Sequence, residues 1–366
     1  MKNPLCCLPF LSGLKEKPLQ PNHGSHLPEG LCRQFSLAEI IAATNNFHPH
    51  LIIGRGDFGT VYKGTIDDGT VVAVKRRHSK FGGEEFRNES RFLCQLRHPL
   101  LVSLIGFCEE RNEMILVYEY MSRGRLSDHL YGEGYAPLSW KQRLQICISA
   151  ARGLHYLHTG TKYAVIHGNV TTRNILLNEE FSCKLHYFGI SKLGSFCTSK
   201  ASRVRRESKI IGTIGYMAPE YAVNGEMTEK TDVFAFGVIL FQVLFGRPAE
   251  DLSLPQDLRY ILEWAKESLR EGTIYHAMDP YLKERVAPGC LNKYLEIASR
   301  CVHHDRKERP AMGEVEITLE LALELQDRAD AEMEATNPST ECLYEEALFS
   351  ASVRNFSAPD RNFAHC

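Results

Sequence analysis

The sequence predicts an α+β fold, a β-rich first part followed by a larger helical part, and three kinds of stretch carry that expectation. In LIIGRGDFGTVYKGTIDDGTVVAVKRR, starting at Leu51, alternating apolar residues flank Gly54, Gly56 and Gly59, a pattern that suits a strand, a tight turn and further strands. LVSLIGFCEE and MILVYEYM add two more strand-like runs before the chain passes Met121. From Ser139 the period changes. In WKQRLQICISAARGLHYLH the apolar residues Leu144, Cys147, Ile148, Ala151, Leu154 and Leu157 recur at helical spacing, and Ser139 with Gln142 forms a capping box. The run VFAFGVILFQVLFG from Val233 is too short to cross a hydrocarbon layer of about 30 Å and contains Gln242, so it reads as a buried helix.

With 366 residues, 43% of them hydrophobic, the chain can bury a sizeable core. A formal net charge of -2 supplies no overall basic field, and nucleic acid is not an expected partner. The 12 cysteines are scattered from Cys6 to Cys366 with no C-x-x-C pair and no secretory signal, which predicts reduced thiols and no disulfide framework.

Residues 1–34 mix five prolines with Gly and His and read as a flexible arm. Its chemical feature is Cys6 and Cys7 among apolar neighbours near Lys2, Lys15 and Lys17, a candidate S-palmitoylation site at an anionic membrane; the alternative is a pair of bystander thiols. Residues 35–50, with FSLAEIIAATNNF, form a lead-in helix: Ser36 and Glu39 make a capping box, and Leu37, Ile40, Ile41 and Ala43 form its apolar stripe. The tail over 326–366 turns acidic and then polar and reads as mostly disordered.

The chemistry centres on AVIHGNVTTRNILLNEEFSCKLHYFGI, from Ala164 to Ile190. It resembles the catalytic loop HRDxKxxN and the metal-binding DFG of eukaryotic protein kinases. His167, Asn174, Phe188 and Gly189 match, while the arginine position is Gly168, the base position Asn169, the lysine position Thr171 and the metal position Tyr187. The glycine set alone would fit any tight hairpin. Followed by VAVK, it resembles the family's phosphate loop, with Lys75 the phosphate-contacting lysine and Glu89, on a predicted helix, its ion-pair partner; a surface pair is the plain alternative.

The resemblance covers about residues 35–325 and implies a two-lobed kinase fold, with an N-lobe over 51–121 and a C-lobe over 122–325. It implies a nucleotide site from Gly54, Gly56, Gly59, Val61, Ala73, Lys75, Glu89, Asn174 and Leu176, a gatekeeper Tyr118, and a hinge of Glu119, Tyr120 and Met121. His167, Phe188, Leu93 and Leu104 fall where the family stacks its spine of apolar side chains, and Asp232 where it holds the catalytic-loop backbone. Glu220, in Ala218-Pro219-Glu220, and Arg309 fall at its structural ion pair. The loop before that motif carries Arg203, Arg205, Arg206 and Lys209 beside Thr198, Ser199, Ser202 and Ser208, a target for another kinase or simply a solvated basic loop. With Gly168 in place of an arginine, any switch by loop phosphorylation must use other cations.

Phrases such as ATNNF, LVSLIGFC, ERNEMILVYEYM and GISK resemble the plant receptor-like kinase (RLK/Pelle) group, and within it the Pto-like cytoplasmic kinases. The family implies Ser/Thr phosphorylation with ATP and Mg²⁺. An amide at Asn169 cannot accept a proton, and losing a general base removes roughly 10² to 10⁴ in rate. A phenol with an ordinary pKa near 10 is neutral at pH 7 and a poor Mg²⁺ ligand, and Asn174 is left as the one familiar metal ligand. The expectation is a pseudokinase that docks ATP, holds Mg²⁺ weakly or not at all, and acts as adaptor or allosteric partner of other kinases or receptor proteins. It is placed in the cytoplasm at the inner face of the plasma membrane through acylated Cys6 and Cys7. The alternatives are a low-rate Ser/Thr kinase using Asn174 with Asp57, and an ATP-sensing switch.

Overall fold

Strand alternation along one segment explains how the first lobe is layered. In a computed structural model, which describes residues 32–336 and 343–345 apart from 57–58, 68, 78–82, 197–204, 207–209 and 257, the lobe is a six-stranded sheet. Its strands are β1 (Arg33–Gln34), β2 (Ile52–Gly56), β3 (Gly59–Ile66), β4 (Thr70–Arg76), β5 (Leu104–Glu110) and β6 (Glu113–Glu119), in the order β1-β5-β6-β4-β3-β2. β1 runs parallel to β5 and the other neighbours are antiparallel. Along β4, Val72 and Val74 point one way into a small core with Phe35, Ile40, Tyr62, Cys108, Ile115 and Val117. Ala73 and Lys75 point the other way and line the interlobe cleft, as the two-residue period of a strand requires.

Helix α1 (Leu37–Ala43) closes that small core. The Ser36–Glu39 capping box is present, and Ile40 is fully buried. Ile41, expected on the apolar stripe, is 36% exposed; the inward turn of the helix is carried by Leu37, Ile40 and Thr44. Helix α2 (Gly83–Gln95) packs on β5 and β6 with Phe86, Glu89, Ser90, Phe92, Leu93 and Cys94 buried.

The second lobe begins at β7 (Gly124–Arg125) and α3 (Leu126–Tyr131) and is built on α4 (Trp140–Thr159), whose expected apolar face is buried throughout. Short strands β8 (Tyr163–Ile166), β9 (Ile175–Leu177), β10 (Cys183–Leu185) and β11 (Lys192–Phe196) carry the catalytic-loop region: β7, β9 and β10 form one sheet, β8 and β11 another. A third pairing joins β12 (Arg205–Arg206) to β13 (Glu226–Met227). Beyond α5 (Pro219–Asn224), α6 (Glu229–Phe245) is buried from Thr231 to Phe245, so the apolar run from Val233 is a core helix. The helices α7 (Ile261–Glu271), α8 (Ile274–Ala277) and α9 (Pro288–Cys301) follow, and α10 (Met312–Thr336) lies across α4 and α9. This is the two-lobed α+β architecture that the resemblance implies. Cys6, Cys7, Asp57, Thr198, Ser199, Ser202, Arg203, Ser208 and Lys209 lie outside the described residues.

The tail expectation needs a correction, because α10 does not stop near 325 but continues to Thr336. Gln326 is 2% exposed, accepts from the Ala287 N–H at 2.8 Å and donates to Asp330 at 2.9 Å. Asp330 also receives Lys141 at 2.6 Å and the Tyr344 hydroxyl at 2.7 Å. An acidic stretch is therefore anchored by specific polar contacts that composition does not reveal. Ending the chain at Leu325 orphans the buried Ala287 N–H, and we expect it to be less stable than a chain ending at Thr336 by about 1 kcal/mol or more in urea unfolding.

Candidate functional site

A cleft of about 370 Å³ lies between the lobes. Its roof is formed by the facing ends of β2 and β3, where Gly56 pairs with Gly59. Gly59 has φ of +143°, and a Cβ there would sit 2.2 Å from the Arg76 carbonyl, so only glycine fits. Val61, Ala73, Val102 and Tyr118 form the apolar wall, Glu119, Tyr120 and Met121 the connecting edge, and Leu176 part of the floor. Glu119 turns its carboxylate away from the cleft, accepting from Lys184 and from the Ser103 N–H, which leaves its backbone at the rim.

At the inner end, Lys75 Nζ lies 3.0 Å from Glu89 Oε2, with both side chains almost fully buried. Arg77 Nη1 reaches the same oxygen at 3.3 Å, and the Phe188 N–H points at Oε1 from 3.4 Å. Burial opposes the charge on Glu89, but Lys75 and Arg77 outweigh it and hold the carboxyl down to about 2. Burial also pulls the Lys75 ammonium below its ordinary range while Glu89 pulls it up, so the ionised Glu89 is the secure half of the pair. Asn88, one residue earlier on α2, donates its amide toward the Phe188, Gly189 and Ser191 carbonyls at 2.9–3.2 Å.

Tyr187 stands at the metal position with φ of +71°, is 6% exposed, and lies with its ring centroid 4.7 Å from Lys75 Nζ, a cation–π contact. Burial, with Glu85 and Glu89 nearby, raises its phenol further above the ordinary range, so it stays neutral. Asn169 is equally committed: its Oδ1 accepts from the Thr213 hydroxyl at 3.0 Å, and its backbone carbonyl accepts from Asn174 Nδ2 at 2.8 Å. Thr171 is buried and too short to reach where a lysine ammonium would act.

The frame around these residues is complete. Asp232 Oδ1 accepts from the Gly168 N–H and Oδ2 from the His167 N–H, both at 2.8 Å, while His158 donates to Oδ2 at 2.9 Å. His167 donates to the His186 carbonyl at 3.0 Å, accepts from the Asn169 N–H at 3.2 Å, and packs its ring against Phe188 at 5.0 Å. Leu93, Leu104 and Phe188 are buried in the main core. Arg309 holds Glu220 with two bonds of 2.7 and 2.8 Å.

The protein tyrosine and serine/threonine kinase family model matches residues 48–319. The chain belongs to that kinase family. It is 47% identical over 312 residues to the receptor-like protein kinase FERONIA of Arabidopsis thaliana, an alignment covering 84% of this chain and 34% of FERONIA. It is 48% identical over 312 residues to the receptor-like protein kinase THESEUS 1 of the same plant, covering 85% and 36%. The chain thus spans about a third of the length of these relatives.

The nucleotide fit and the metal fit come apart in this kinase domain. The glycine backbone, Lys75, the apolar wall and the backbone at Glu119 and Met121 suit the phosphates and base of a nucleotide. Mg²⁺ needs several hard oxygens, and at the two positions in question the site offers a neutral phenol whose ring faces an ammonium and the single amide oxygen of Asn174, whose Nδ2 donates to the Asn169 carbonyl. Sequence reasoning missed Arg77, Asn88, His186, Thr213, Arg125 and Arg173. The last two line the cleft with Arg55 and Lys75, and each meets the site from a segment whose motif is silent about it.

His186 is pushed down from 6.5 to about 3 by burial and by Lys75. Between those values the unfolded chain takes up a proton that the folded one refuses, so stability falls as pH drops below 6.5. His167 and His98 are lowered in the same direction by burial, and the Glu89 contribution is lost only below 4.5. Thermal melts between pH 6.5 and 4.5 should decline for the parent, and His186→Asn should flatten that decline.

Proposed function

We propose that this kinase-family chain is a pseudokinase, a member of the Pto-like cytoplasmic branch that works by docking proteins instead of transferring phosphate. The observation that carries the reading is that both positions where the chemistry requires a carboxylate hold neutral side chains already engaged, Asn169 by Thr213 and Tyr187 by Lys75. A neutral amide takes up no proton, and a phenol beneath an ammonium recruits no cation. The surrounding frame is what a docking surface requires: Glu89, Asp232 and the Glu220–Arg309 pair keep α2, the catalytic loop and α5 in register. Its partners in this reading are other kinases or receptor proteins of plant signalling, met in the cytoplasm at the inner face of the plasma membrane through acylated Cys6 and Cys7.

ATP serves here as a structural ligand. Arg55, Lys75, Arg125 and Arg173 line the cleft against Asp128 and a Glu119 already paired with Lys184. Carboxylates at 169 and 187 would add two negative charges; without them, fixed cations oppose the phosphates and no divalent ion is needed.

Two measurements test this. With labelled ATP and a generic substrate, wild type should transfer at least roughly 10²-fold less than the Asn169→Asp, Thr171→Lys, Tyr187→Asp revertant; Asp is among the residues that tolerate the positive φ at 187. Transfer by wild type that disappears in Lys75→Ala would overturn the reading. Separately, millimolar ATP should raise the melting temperature as much in EDTA as in Mg²⁺, and Lys75→Ala should abolish the shift. A shift seen only with Mg²⁺ would refute metal-free docking.

A further inference from the structure

Far from the cleft, the chain touches the second lobe at Leu343–Glu345 through a contact centred on one side chain. Leu343 is 41% exposed and Glu345 is exposed, whereas Tyr344 between them is 6% exposed and joins the main core. Two bonds seat it. Its N–H donates to the Glu284 carbonyl at 2.7 Å, and its hydroxyl donates to Asp330 Oδ1 on α10 at 2.7 Å. Glu284 has φ of +66°, a left-handed conformation that is costly for a residue with a side chain, so the bond from Tyr344 steadies a strained turn. Around the hydroxyl, two carboxylates stand against one ammonium: Lys141 Nζ lies 2.6 Å from Asp330 Oδ2 and 2.8 Å from Asp327 Oδ1. Arg285, beside Glu284, is engaged within its own turn, donating to the Tyr281 carbonyl at 3.0 Å with its guanidinium 5.0 Å from the Tyr281 ring centroid.

We propose that Tyr344 is a phosphorylation site for a tyrosine-directed protein kinase, and that the modification unlatches this segment from the second lobe. The Tyr344 phenolic oxygen attacks the γ-phosphorus of ATP held by that kinase. The bond from the γ-phosphorus to the bridging oxygen breaks, ADP leaves, and the phenol proton passes to the kinase's carboxylate base. The product carries a charge of about −1.5 to −2 at pH 7. In the closed seat that charge would stand against Asp330, where the hydroxyl had donated a hydrogen bond, and Lys141 is already shared between two carboxylates. Like charge and a lost donor both oppose return to the seat.

Access follows from the same geometry. The hydroxyl is covered while the contact is closed, so a kinase meets it in the open state, and labelling tracks the open population. A contact seated by one residue with exposed neighbours opens far more readily than a lobe unfolds. Tyr118 and Tyr294 are as deeply buried but lie within β6 and α9, where exposure of the hydroxyl requires unfolding the element itself. Phosphate on Tyr344 then blocks reclosure and turns a transient opening into a lasting one. Release also frees the Glu284 carbonyl and loosens the neighbouring turn, whose Ala287 N–H is bonded to Gln326.

The test is independent of whether the cleft transfers phosphate. The full-length protein is incubated with Mg-ATP and a purified non-receptor tyrosine kinase catalytic domain, chosen because it labels a synthetic peptide of residues 338–350, and phosphopeptides are mapped by mass spectrometry. In parallel, phosphotyrosine is installed at 344 by amber suppression. The expected result is labelling at Tyr344 that is absent in Tyr344→Phe and roughly tenfold faster in Asp330→Ala, whose lost hydrogen bonds raise the open population. The protein carrying phosphotyrosine at 344 should exchange the Tyr344 and Ala287 amides faster and melt at a lower temperature, and a tyrosine phosphatase should reverse both changes. Tyr344→Phe keeps the ring, and its melt shows that the fold survives loss of the hydroxyl. Unchanged amide exchange and melting temperature with phosphotyrosine at 344 would overturn the proposal. So would equal labelling rates in wild type and Asp330→Ala, or no labelling of Tyr344 in either protein.

Discussion

A single buried carboxylate, Glu89, ties the two halves of the cleft together. It is fixed on α2, binds Lys75 of β4 and Arg77 just beyond that strand, and faces the Phe188 N–H of the turn that follows β10. Removing one partner of such a group would leave an uncompensated charge in the core, a loss of about 3 to 5 kcal/mol for buried pairs. Its position therefore dictates where α2 sits, and α2 in turn delivers Asn88 to three carbonyls around Phe188. The order of the nucleotide-facing half follows from this network and requires no ligand.

Asp232 does the corresponding work in the second lobe. By accepting from the His167 and Gly168 amides it holds the catalytic loop in one conformation whatever side chain follows at 169. Backbone support of this kind separates the shape of the loop from its chemistry. A carboxylate at 169 or 187 can therefore be lost while the fold keeps its register, since neither position supplies the bonds on which the loop depends. Asn169 and Tyr187 instead gain contacts of their own, with Thr213 and Lys75.

The lobes and most of the cleft were legible because glycine spacing, strand alternation and capping boxes are local signals. Gly59, Lys75, Glu89, Asp232 and the Ser139 cap could be found from short stretches of sequence. What was not legible involves long separations with no periodic signature. Asn88 meets Ser191, 103 positions on, and Thr213 meets Asn169 from 44 positions away. Ile41 sat on the expected stripe, yet α1 has only seven residues and buries a narrower face. The tail misled for a compositional reason: acidic residues predict solvation, whereas Asp330 and Gln326 are engaged by Lys141, Ala287 and Tyr344.

Gly168 shows how far the scaffold accommodates its altered centre. Its φ is +78°, and a Cβ built there would lie 2.8 Å from the Met227 methyl. A side chain at this position must therefore displace Met227 and adopt a left-handed backbone, which costs non-glycine residues on the order of 1 kcal/mol or more. The family's arginine would meet the backbone cost in full and would turn the flexible end of the Met227 side chain aside. The glycine is thus matched to the Met227 side chain packed beside it, and the missing cation at 168 is part of a locally consistent packing arrangement. Exchanges at 169, 171 and 187 leave this Gly168–Met227 packing untouched, and the Asp232 bonds to the 167 and 168 amides keep the loop backbone on its course whichever side chains those positions carry.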